Sequence, residues 1–457
     1  MTIFLLIYTL LGVFLVYKFK HKLLCNEMFW LGMFWLLIIG VYYSSGVIVK
    51  KYSFSIELFI YLFFCIIFFV LGRNKGKTSR VRVFDKDQQS VHKWMPILLG
   101  FLGVILFVFD LIRLNGIMLF LGEGEGKNNE YEISIIGSIG AILIPLLLVE
   151  GLYLIALKFR RLNSLSLLGL LLLLLYSVPC ILNNGRESLA YALVGIIALY
   201  GYGRMNKKKE KLTFKRIVLR CMIALGGILF LFLIISISSE RFGKNEINVF
   251  ISTHDVSPEM LKEGESWGDL EFLYYNVASY FSHQLTFLEF TFKEYDGPYM
   301  GGLFELNIIS RRLPESMGLN YQSVYDNLDI LYSRHGVSFK GGWNTVLGSF
   351  IFDFGRILSV LLCYFVGYVI GKIRRKFEDA HDERYAVLIA LFCAFSFSTI
   401  QLGPFYNTLI YGSFIWWMII FMHNENKLLP KIHKGKRGLI SPSFKEDYYR
   451  LHLKKEV

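Results

Sequence analysis

Long apolar runs alternate with polar connections along almost the whole chain. A helix needs about 20 apolar residues to cross the hydrocarbon core of a bilayer. Eleven runs approach or exceed that length, at residues 3–17, 28–49, 54–72, 94–110, 134–157, 164–182, 188–203, 217–238, 344–371, 385–402 and 405–422. The pattern therefore predicts an all-α integral membrane protein with about eleven transmembrane helices.

One polar interval, residues 239–343, is much longer than the other connections. Its stretch 272–292 is rich in aromatic residues but contains asparagine, serine, histidine and glutamine. That mixture is typical of a helix that lies at the membrane interface or packs over the bundle. A weakly apolar stretch, 300–313, has the composition of a segment that enters the membrane partway and returns. We therefore predict a large extracytoplasmic loop containing interfacial or re-entrant helices.

This loop divides the chain into four predicted regions. Residues 1–238 form an N-terminal transmembrane bundle of about eight spans, and residues 344–422 form a C-terminal bundle of about three. Between them lies the loop, 239–343, and after them comes a basic tail, 423–457.

Lysine and arginine concentrate in alternate connections, which predicts the orientation of the chain. The basic connections lie near residues 18–22, 73–82, 158–161, 207–216 and 372–376, and in the tail from 427. Connections rich in these residues stay in the cytoplasm. We therefore place the N-terminus outside, the C-terminus in the cytoplasm and the long loop outside. The loop carries fifteen acidic and eight basic residues, consistent with the outer face.

Composition supports a membrane protein and excludes other classes. Hydrophobic residues make up 54% of the chain and charged residues 19%, and the mean hydropathy is +0.47. The net charge of +13 follows from the topology, so it indicates no nucleic-acid partner. All six cysteines lie in or beside apolar runs, which predicts neither a disulfide framework nor a zinc site. The run at 3–17 lacks a basic region before it and a small-residue cleavage motif after it, so we interpret it as a retained span.

Two arginines follow apolar runs at positions predicted to lie on the outer face. Arg186 stands in the turn Asn-Asn-Gly-Arg-Glu, directly before the seventh run. A guanidinium beside a helix N-terminus has the geometry to bind phosphate, although a surface pair with Glu187 would explain it as well. Arg241 follows the eighth run. The two could clamp one diphosphate, and an ion pair of Arg241 with Glu240 is the alternative.

The loop holds further candidates. Arg334 is a third possible anion ligand, and the adjacent His335 could move a proton at neutral pH, or be a structural residue. Arg311 and Arg312 could bind an anionic headgroup or a diphosphate, or be solvated.

Asp353 places a carboxylate inside the ninth apolar run, with Arg356 three residues later. A charged pair at membrane depth is either functional or a helix-packing ion pair. The chain contains no HExxH motif, no paired histidine and cysteine spacing, no nucleophile elbow and no Walker loop, so we predict no metal site and no cofactor.

In its architecture the chain resembles the bacterial oligosaccharide repeat-unit polymerases, which are the Wzy-type O-antigen, capsule and exopolysaccharide polymerases. Three features carry the resemblance. They are about eleven spans with one dominant outer loop late in the chain, the Asn184-Gly185-Arg186-Glu187 turn, and the stretch Asn344-Thr345 and Phe350-Ile351-Phe352-Asp353-Phe354-Gly355 that opens the span after the loop.

The resemblance implies a membrane glycosyltransferase in the bacterial cytoplasmic membrane. The growing glycan would leave its polyprenyl-diphosphate carrier and join the non-reducing end of an incoming lipid-linked repeat unit. No nucleotide and no metal would take part. The implied partners are the polyprenyl-diphosphate-linked oligosaccharide, membrane lipid and, as a candidate, a chain-length-regulating co-polymerase.

The family is known for essential arginines in outer loops, so the resemblance implies that Arg186, Arg241 and Arg334 bind the diphosphate, with Arg311 and Arg312 as further candidates. The candidate bases for the acceptor hydroxyl are His335, Glu187 and Asp353, in that order.

Two other functions remain open. A lipid-linked glycan ligase would share the same architecture. A transporter or flippase is the non-enzymatic alternative, and it predicts ionisable residues in the middle of several spans.

Overall fold

The computed structural model describes residues 24–44, 55–84, 94–115, 134–162, 165–182, 187–205, 284–304, 306, 334, 345–399, 408–422 and 425–429. The helices within them are α1 (Glu27–Ser44), α2 (Ile56–Thr78), α3 (Trp94–Asn115), α4 (Ile135–Leu143), α5 (Pro145–Leu162), α6 (Leu167–Leu182), α7 (Glu187–Met205), α8 (284–294), α9 (Val346–Ala380), α10 (Glu383–Ser398) and α11 (Thr408–Phe421). Two short strands, β1 (Val81–Phe84) and β2 (Glu425–Leu429), pair antiparallel.

The predicted helical architecture is confirmed in its coarse form. Nine of the eleven predicted runs coincide with helices, and the runs at 3–17 and 217–238 lie outside the described residues. Among the described residues, four segments are long and apolar enough to cross a membrane: Ile56–Thr78, Trp94–Arg113, Ile135–Phe159 and Val346–Ala380. The fold is therefore that of a mostly helical protein with several potential membrane spans, and the total of eleven stays a prediction.

The fifth predicted run forms two consecutive helices rather than one. The helix α4 ends at Leu143 and α5 begins at Pro145. Proline has no backbone N–H and its ring crowds the preceding turn, so it interrupts a helix where it stands inside one. The junction stays within one apolar segment, since Ile135–Phe159 as a whole is long enough to cross the bilayer.

Glycines bring α2 and α9 into backbone contact. A Cβ added to Gly72 would lie 1.9 Å from the carbonyl oxygen of Tyr364, and one added to Gly76 would lie 2.1 Å from that of Tyr368. The contact is reciprocal, because Gly367 and Gly371 approach α2 equally closely. Small residues at four-residue spacing are the usual means by which membrane helices pack closely.

Two clusters of buried hydrophobic residues form the interior. The larger joins α3, α5, α6, α7, α10 and α11, with Tyr176, Tyr191 and Tyr385 among its fully buried side chains. The smaller joins α2, α8 and the first part of α9, and includes Tyr61, Phe290 and Phe352. The candidate site lies at the smaller cluster.

Charged residues gather where α1 begins and where α2 and α9 end. Glu27 binds Arg73 at 2.7 Å and Arg374 at 3.4 Å. Arg374 also binds Glu378 at 2.7 Å. The basic stretches 73–82 and 372–376 thus lie at the same end of the α2–α9 pair. Their predicted placement on one side of the membrane requires this arrangement. That this side faces the cytoplasm stays a prediction.

The two-stranded sheet was not predicted. β2 lies in the region interpreted as a basic tail, and its residue Leu429 pairs with Val81 of β1. Tyr385 and Phe84 stack with ring centroids 4.7 Å apart, and the guanidinium of Arg384 lies 3.7 Å from the centre of the Phe84 ring. Part of the tail therefore belongs to the folded structure.

Candidate functional site

The helix α9 is broken near its N-terminal end. Gly355 has φ +74° and ψ 175°, a conformation outside the helical region that glycine adopts readily. The break frees the carbonyl groups that would accept hydrogen bonds from residues four positions later. The N–H of Met300 donates to Phe352 O at 3.2 Å, and the N–H of Gly301 donates to Asp353 O at 2.9 Å. N–H groups of the long loop thus bind the carbonyl groups that the break in α9 leaves free.

The part of α9 before the break differs from the part after it. Every residue from 346 to 353 is buried, whereas Ile357 and Leu358 are exposed. Val346 N–H donates to Thr399 O at 2.8 Å, which ties the start of α9 to the end of α10. Irregular backbone at membrane depth is tolerated only where protein or water surrounds it. The first part of α9 is enclosed by protein in this way.

Asp353 holds the loop segment in place. Its carboxylate is 1% exposed, and Oδ1 accepts a hydrogen bond from the Phe304 N–H at 2.9 Å. The Phe304 ring packs on Phe352, with centroids 4.9 Å apart. These contacts give Asp353 a structural function, and its role as a base stays a prediction.

Arg356 binds the end of α8. Its Nη1 forms an ion pair with Asp296 Oδ1 at 2.8 Å. Its Nη2 donates to Lys293 O at 3.1 Å, and its Nε donates to Phe292 O. A cation at a helix C-terminus complements the unpaired carbonyl groups there. Arg356 therefore forms its ion pair with Asp296, 60 residues away in sequence, and not with Asp353 as one interpretation of the sequence suggested.

Glu289 attaches α8 to the start of α2. Its side chain is 1% exposed, and Oε1 accepts from the Ser55 N–H at 3.1 Å and from Lys293 Nζ at 2.7 Å. Ser55 is the N-cap of α2. A negative charge near a helix N-terminus is stabilising. In the sequence Glu289 is one of fifteen acidic residues of the loop, and its buried position was not predicted.

The predicted helix at 272–292 is described over 284–294, where it packs on α2 and α9. Phe292 contacts Tyr61 of α2, with ring centroids 5.0 Å apart. The prediction of a helix packed over the bundle agrees with this part, and residues 272–283 lie outside the described residues.

Two tyrosines follow α8. The Tyr295 hydroxyl donates to Pro298 O at 2.5 Å, and its ring meets Phe352 edge-on at 4.9 Å. Burial, together with nearby Tyr299 and Asp353, raises the pKa of Tyr295 from 10.0 to about 12. Tyr295 is therefore a neutral hydrogen-bond donor throughout the physiological range.

The predicted site residues are only partly within the described residues. Glu187 begins α7, and Arg334 is exposed. Arg186, Arg241, Arg311, Arg312 and His335 lie outside the described residues. The convergence of these arginines on one diphosphate therefore stays a prediction. Within the described ranges, no group of three or more histidine, cysteine, aspartate or glutamate side chains could hold a metal ion.

Two buried carboxylates within potential spans were not predicted from the sequence, Asp110 and Glu150. Glu150 is 2% exposed and lies within the apolar segment Ile135–Phe159. A single acidic residue in the run Leu-Leu-Leu-Val-Glu-Gly-Leu was the available signal. Ionisable residues inside membrane spans are costly and usually functional.

Taken together, the described part of the loop is fixed to α2 and α9 at three places. Glu289 holds the start of α2, Arg356 holds the end of α8, and the break in α9 holds residues 300–304. The loop segment 284–304 is therefore held beside the N-terminal ends of α2 and α9, where it exposes both polar and aromatic side chains. Such a surface can bind and orient a polar ligand that is attached to the membrane.

Comparisons with protein-family models, with curated proteins and with solved structures found no match for this chain.

Proposed function

We propose that this protein is a polysaccharide polymerase of the bacterial cytoplasmic membrane. It transfers a growing glycan from polyprenyl diphosphate to the non-reducing end of an incoming lipid-linked repeat unit, on the outer face. The N-terminus lies outside and the C-terminus lies in the cytoplasm. The proposal rests on the resemblance in architecture and on the predicted orientation.

One structural observation supports the proposal most directly. The segment 284–304 of the long polar loop is built into the ends of α2 and α9 through Glu289, Arg356 and the main chain at Phe352 and Asp353. A lipid-linked substrate has its reacting group at the membrane surface, so its enzyme needs a fixed polar surface at that depth.

The leaving group sets the main chemical requirement. A polyprenyl diphosphate leaves readily only when its developing negative charge is stabilised. Arg186, Arg241 and Arg334 would supply this stabilisation without a metal, since the guanidinium group stays charged and binds phosphate through two N–H groups. Arg311 and Arg312 are further candidates for the same role.

The acceptor hydroxyl requires a base. His335 is the first candidate because its ordinary pKa lies near neutrality. Glu187, at the start of α7, is the second. Asp353 is the third candidate. It stands last because its buried carboxylate already accepts a hydrogen bond from the Phe304 N–H. The proposed partners are the lipid-linked oligosaccharide, membrane lipid and a chain-length-regulating co-polymerase.

The test is the length of the glycan in a strain lacking this protein. The strain is complemented with the wild type or with Arg186→Ala, Arg241→Ala or Arg334→Ala at equal membrane abundance. We expect the deletion to abolish long polymer and leave single repeat units on the final acceptor, and each variant to shorten the polymer. Unchanged polymer in all three variants would remove the arginine mechanism.

The same experiment separates the alternatives. Long lipid-linked polymer that accumulates unattached would indicate a ligase. Repeat units trapped on the cytoplasmic leaflet would indicate a transporter or flippase. Buried carboxylates within potential spans, Asp110, Glu150 and Asp353, are the observation that favours this alternative.

A further inference from the structure

The surface of the segment that follows α8 carries a half-exposed tyrosine beside an exposed ion pair. Tyr299 is 50% exposed. The Asp296 side chain is 81% exposed, and its Oδ1 lies 2.8 Å from Arg356 Nη1. The two loop residues converge on neighbouring positions of α9, because the Tyr299 ring contacts Gly355 and Asp296 binds Arg356.

Gly355 makes room for the tyrosine ring. A Cβ at this position would lie 3.0 Å from Tyr299 Cζ and 3.3 Å from its hydroxyl oxygen. Tyr295 supports the ring from the side, edge-on, with centroids 6.1 Å apart. The neighbouring Gly301 has open space around its Cα, since nothing lies within 4 Å of an added Cβ. The ring is thus held in place while half of its surface stays accessible.

The ion pair retains hydrogen-bonding capacity. A guanidinium carries five N–H donors and a carboxylate can accept about four hydrogen bonds. The contacts of Arg356 with Phe292, Lys293 and Asp296 use one N–H each. Donors of Arg356 and acceptor positions on Asp296 therefore remain for a ligand, beside an aromatic face.

This combination matches the chemistry of a sugar ring. One face of a sugar presents C–H groups that pack on an aromatic ring, and its hydroxyls both donate and accept hydrogen bonds. We propose that Tyr299, Asp296 and Arg356 form a glycan-binding subsite at the N-terminal end of α9. Its ligand is a neutral, hydroxyl-rich sugar. The inference rests on the proposed function, because that function identifies the glycan as the repeat unit that is polymerised.

A tyrosine that served only as an interfacial anchor would need no exposed ion pair beside it. Its polar tip would lie among headgroups and its ring among acyl chains. A sugar-binding subsite needs the Asp296 carboxylate and an aromatic ring at position 299, whereas an anchor does not need Asp296. Variants at Asp296 and Tyr299 therefore distinguish the two roles.

The probe is the repeat-unit oligosaccharide released from the producing strain's own polymer. Its binding to the purified full-length protein in detergent is measured by saturation-transfer NMR. We expect Tyr299→Ala and Asp296→Ala to weaken binding about tenfold. Tyr299→Phe and Tyr299→Trp keep the aromatic face and should stay within about threefold of the wild type.

Two further variants control for local damage. Tyr299→Leu keeps apolar volume without the aromatic face, so it should bind as poorly as Tyr299→Ala. Ile357→Ala alters an 81% exposed side chain next to Arg356 and should bind as the wild type does. Binding is measured at a temperature at which every variant is folded, as its thermal unfolding midpoint shows.

The proposal is overturned if the wild-type protein does not bind the oligosaccharide, or if Tyr299→Ala, Tyr299→Leu and Asp296→Ala bind it as well as the wild type. Failure of the proposed function is a separate result. Normal polymer in the deletion strain, with binding that depends on Tyr299, would remove the polymerase and keep the subsite. Lost polymer with binding that ignores Tyr299 would remove the subsite alone.

Discussion

The two ends of α9 are fastened by different chemistry. At the C-terminal end the helix is regular, and charged side chains join it to other helices: Arg374 binds Glu27 of α1, and Glu378 binds Lys77 of α2. At the N-terminal end the helix is broken at Gly355, and main-chain N–H groups of the loop bind its freed carbonyl groups.

This difference between the two ends indicates that one stabilises the fold and the other can bind a ligand. The C-terminal end is an anchor, because buried charges tolerate no loss of a partner. At the N-terminal end the backbone of residues 300–301 binds the broken helix, while the side chains of Asp296 and Tyr299 stay exposed and available for a ligand. Substitutions at the two ends should therefore differ in size and in what they disturb.

The largest effect is expected from Glu27→Gln. Glu27 is 3% exposed and lies between Arg73 and Arg374. Neutralising it leaves two poorly hydrated cations without their shared anion, which should lower the free energy of unfolding by about 3–5 kcal/mol. Unfolding in mixed SDS and mild detergent micelles measures the change.

The matched control is Lys77→Gln, which removes the solvent-accessible pair with Glu378. It should cost about 0–1 kcal/mol. Equal effects of the two substitutions would show that the C-terminal end of α9 is not a buried charge anchor.

The next effect concerns the backbone contact that lies between the two ends. Gly72→Ala places a Cβ 1.9 Å from the Tyr364 carbonyl oxygen, so α2 and α9 must separate. We expect a loss of about 3 kcal/mol, at the upper end of the range for overpacking. The thermal unfolding midpoint of the detergent-purified protein reports it.

Gly32→Ala is the control for this substitution, because nothing lies within 4 Å of a Cβ at that position on α1. It should leave the unfolding midpoint unchanged or raise it slightly, as alanine favours helix over glycine. A harmless Gly72→Ala would mean that the two helices are further apart than the structure has them.

A smaller and local effect is expected from Arg356→Ala. The change removes the ion pair with Asp296 and the hydrogen bonds to Phe292 O and Lys293 O, which should cost about 1.5 kcal/mol. Hydrogen exchange should accelerate over 284–304 and stay unchanged over 372–380. Faster exchange at both ends would contradict their independence, and Ile357→Ala should change neither.

Sequence patterns predicted the helices better than the contacts between them. Apolar runs give the positions of α2 and α9 because bilayer thickness fixes the length of a span. The four-residue glycine spacing of Gly72 and Gly76, and again of Gly367 and Gly371, is a sequence signal for close packing of helices that was not used in the prediction.

The site was less predictable. From the sequence, Gly355 is one more small residue in an apolar run. Its conformation depends on carbonyl groups at positions 352 and 353, which accept hydrogen bonds from loop residues 52 positions earlier (353 − 301 and 352 − 300). The ion pair between Asp296 and Arg356 joins positions 60 residues apart, which no local pattern indicates. Such contacts follow from tertiary packing, not from periodicity.

The smallest effect on stability is expected from Asp353→Asn, and it sharpens the distinction between holding and catalysing. The amide keeps an oxygen that can accept from the Phe304 N–H, so the free energy of unfolding should fall by less than about 1 kcal/mol. Asp353→Ala removes the acceptor and should cost about 1–3 kcal/mol, because it leaves a buried N–H without its partner.

Because the Asp353 carboxylate is 1% exposed and bound to the loop, we expect Asp353→Asn to keep polymer at its wild-type length. A loss of about 100-fold or more in polymer synthesis, with stability intact, would instead identify Asp353 as the base. An unaffected Asp353→Asn beside a destabilised Asp353→Ala would make it a positioning residue and leave His335 and Glu187 as the candidate bases.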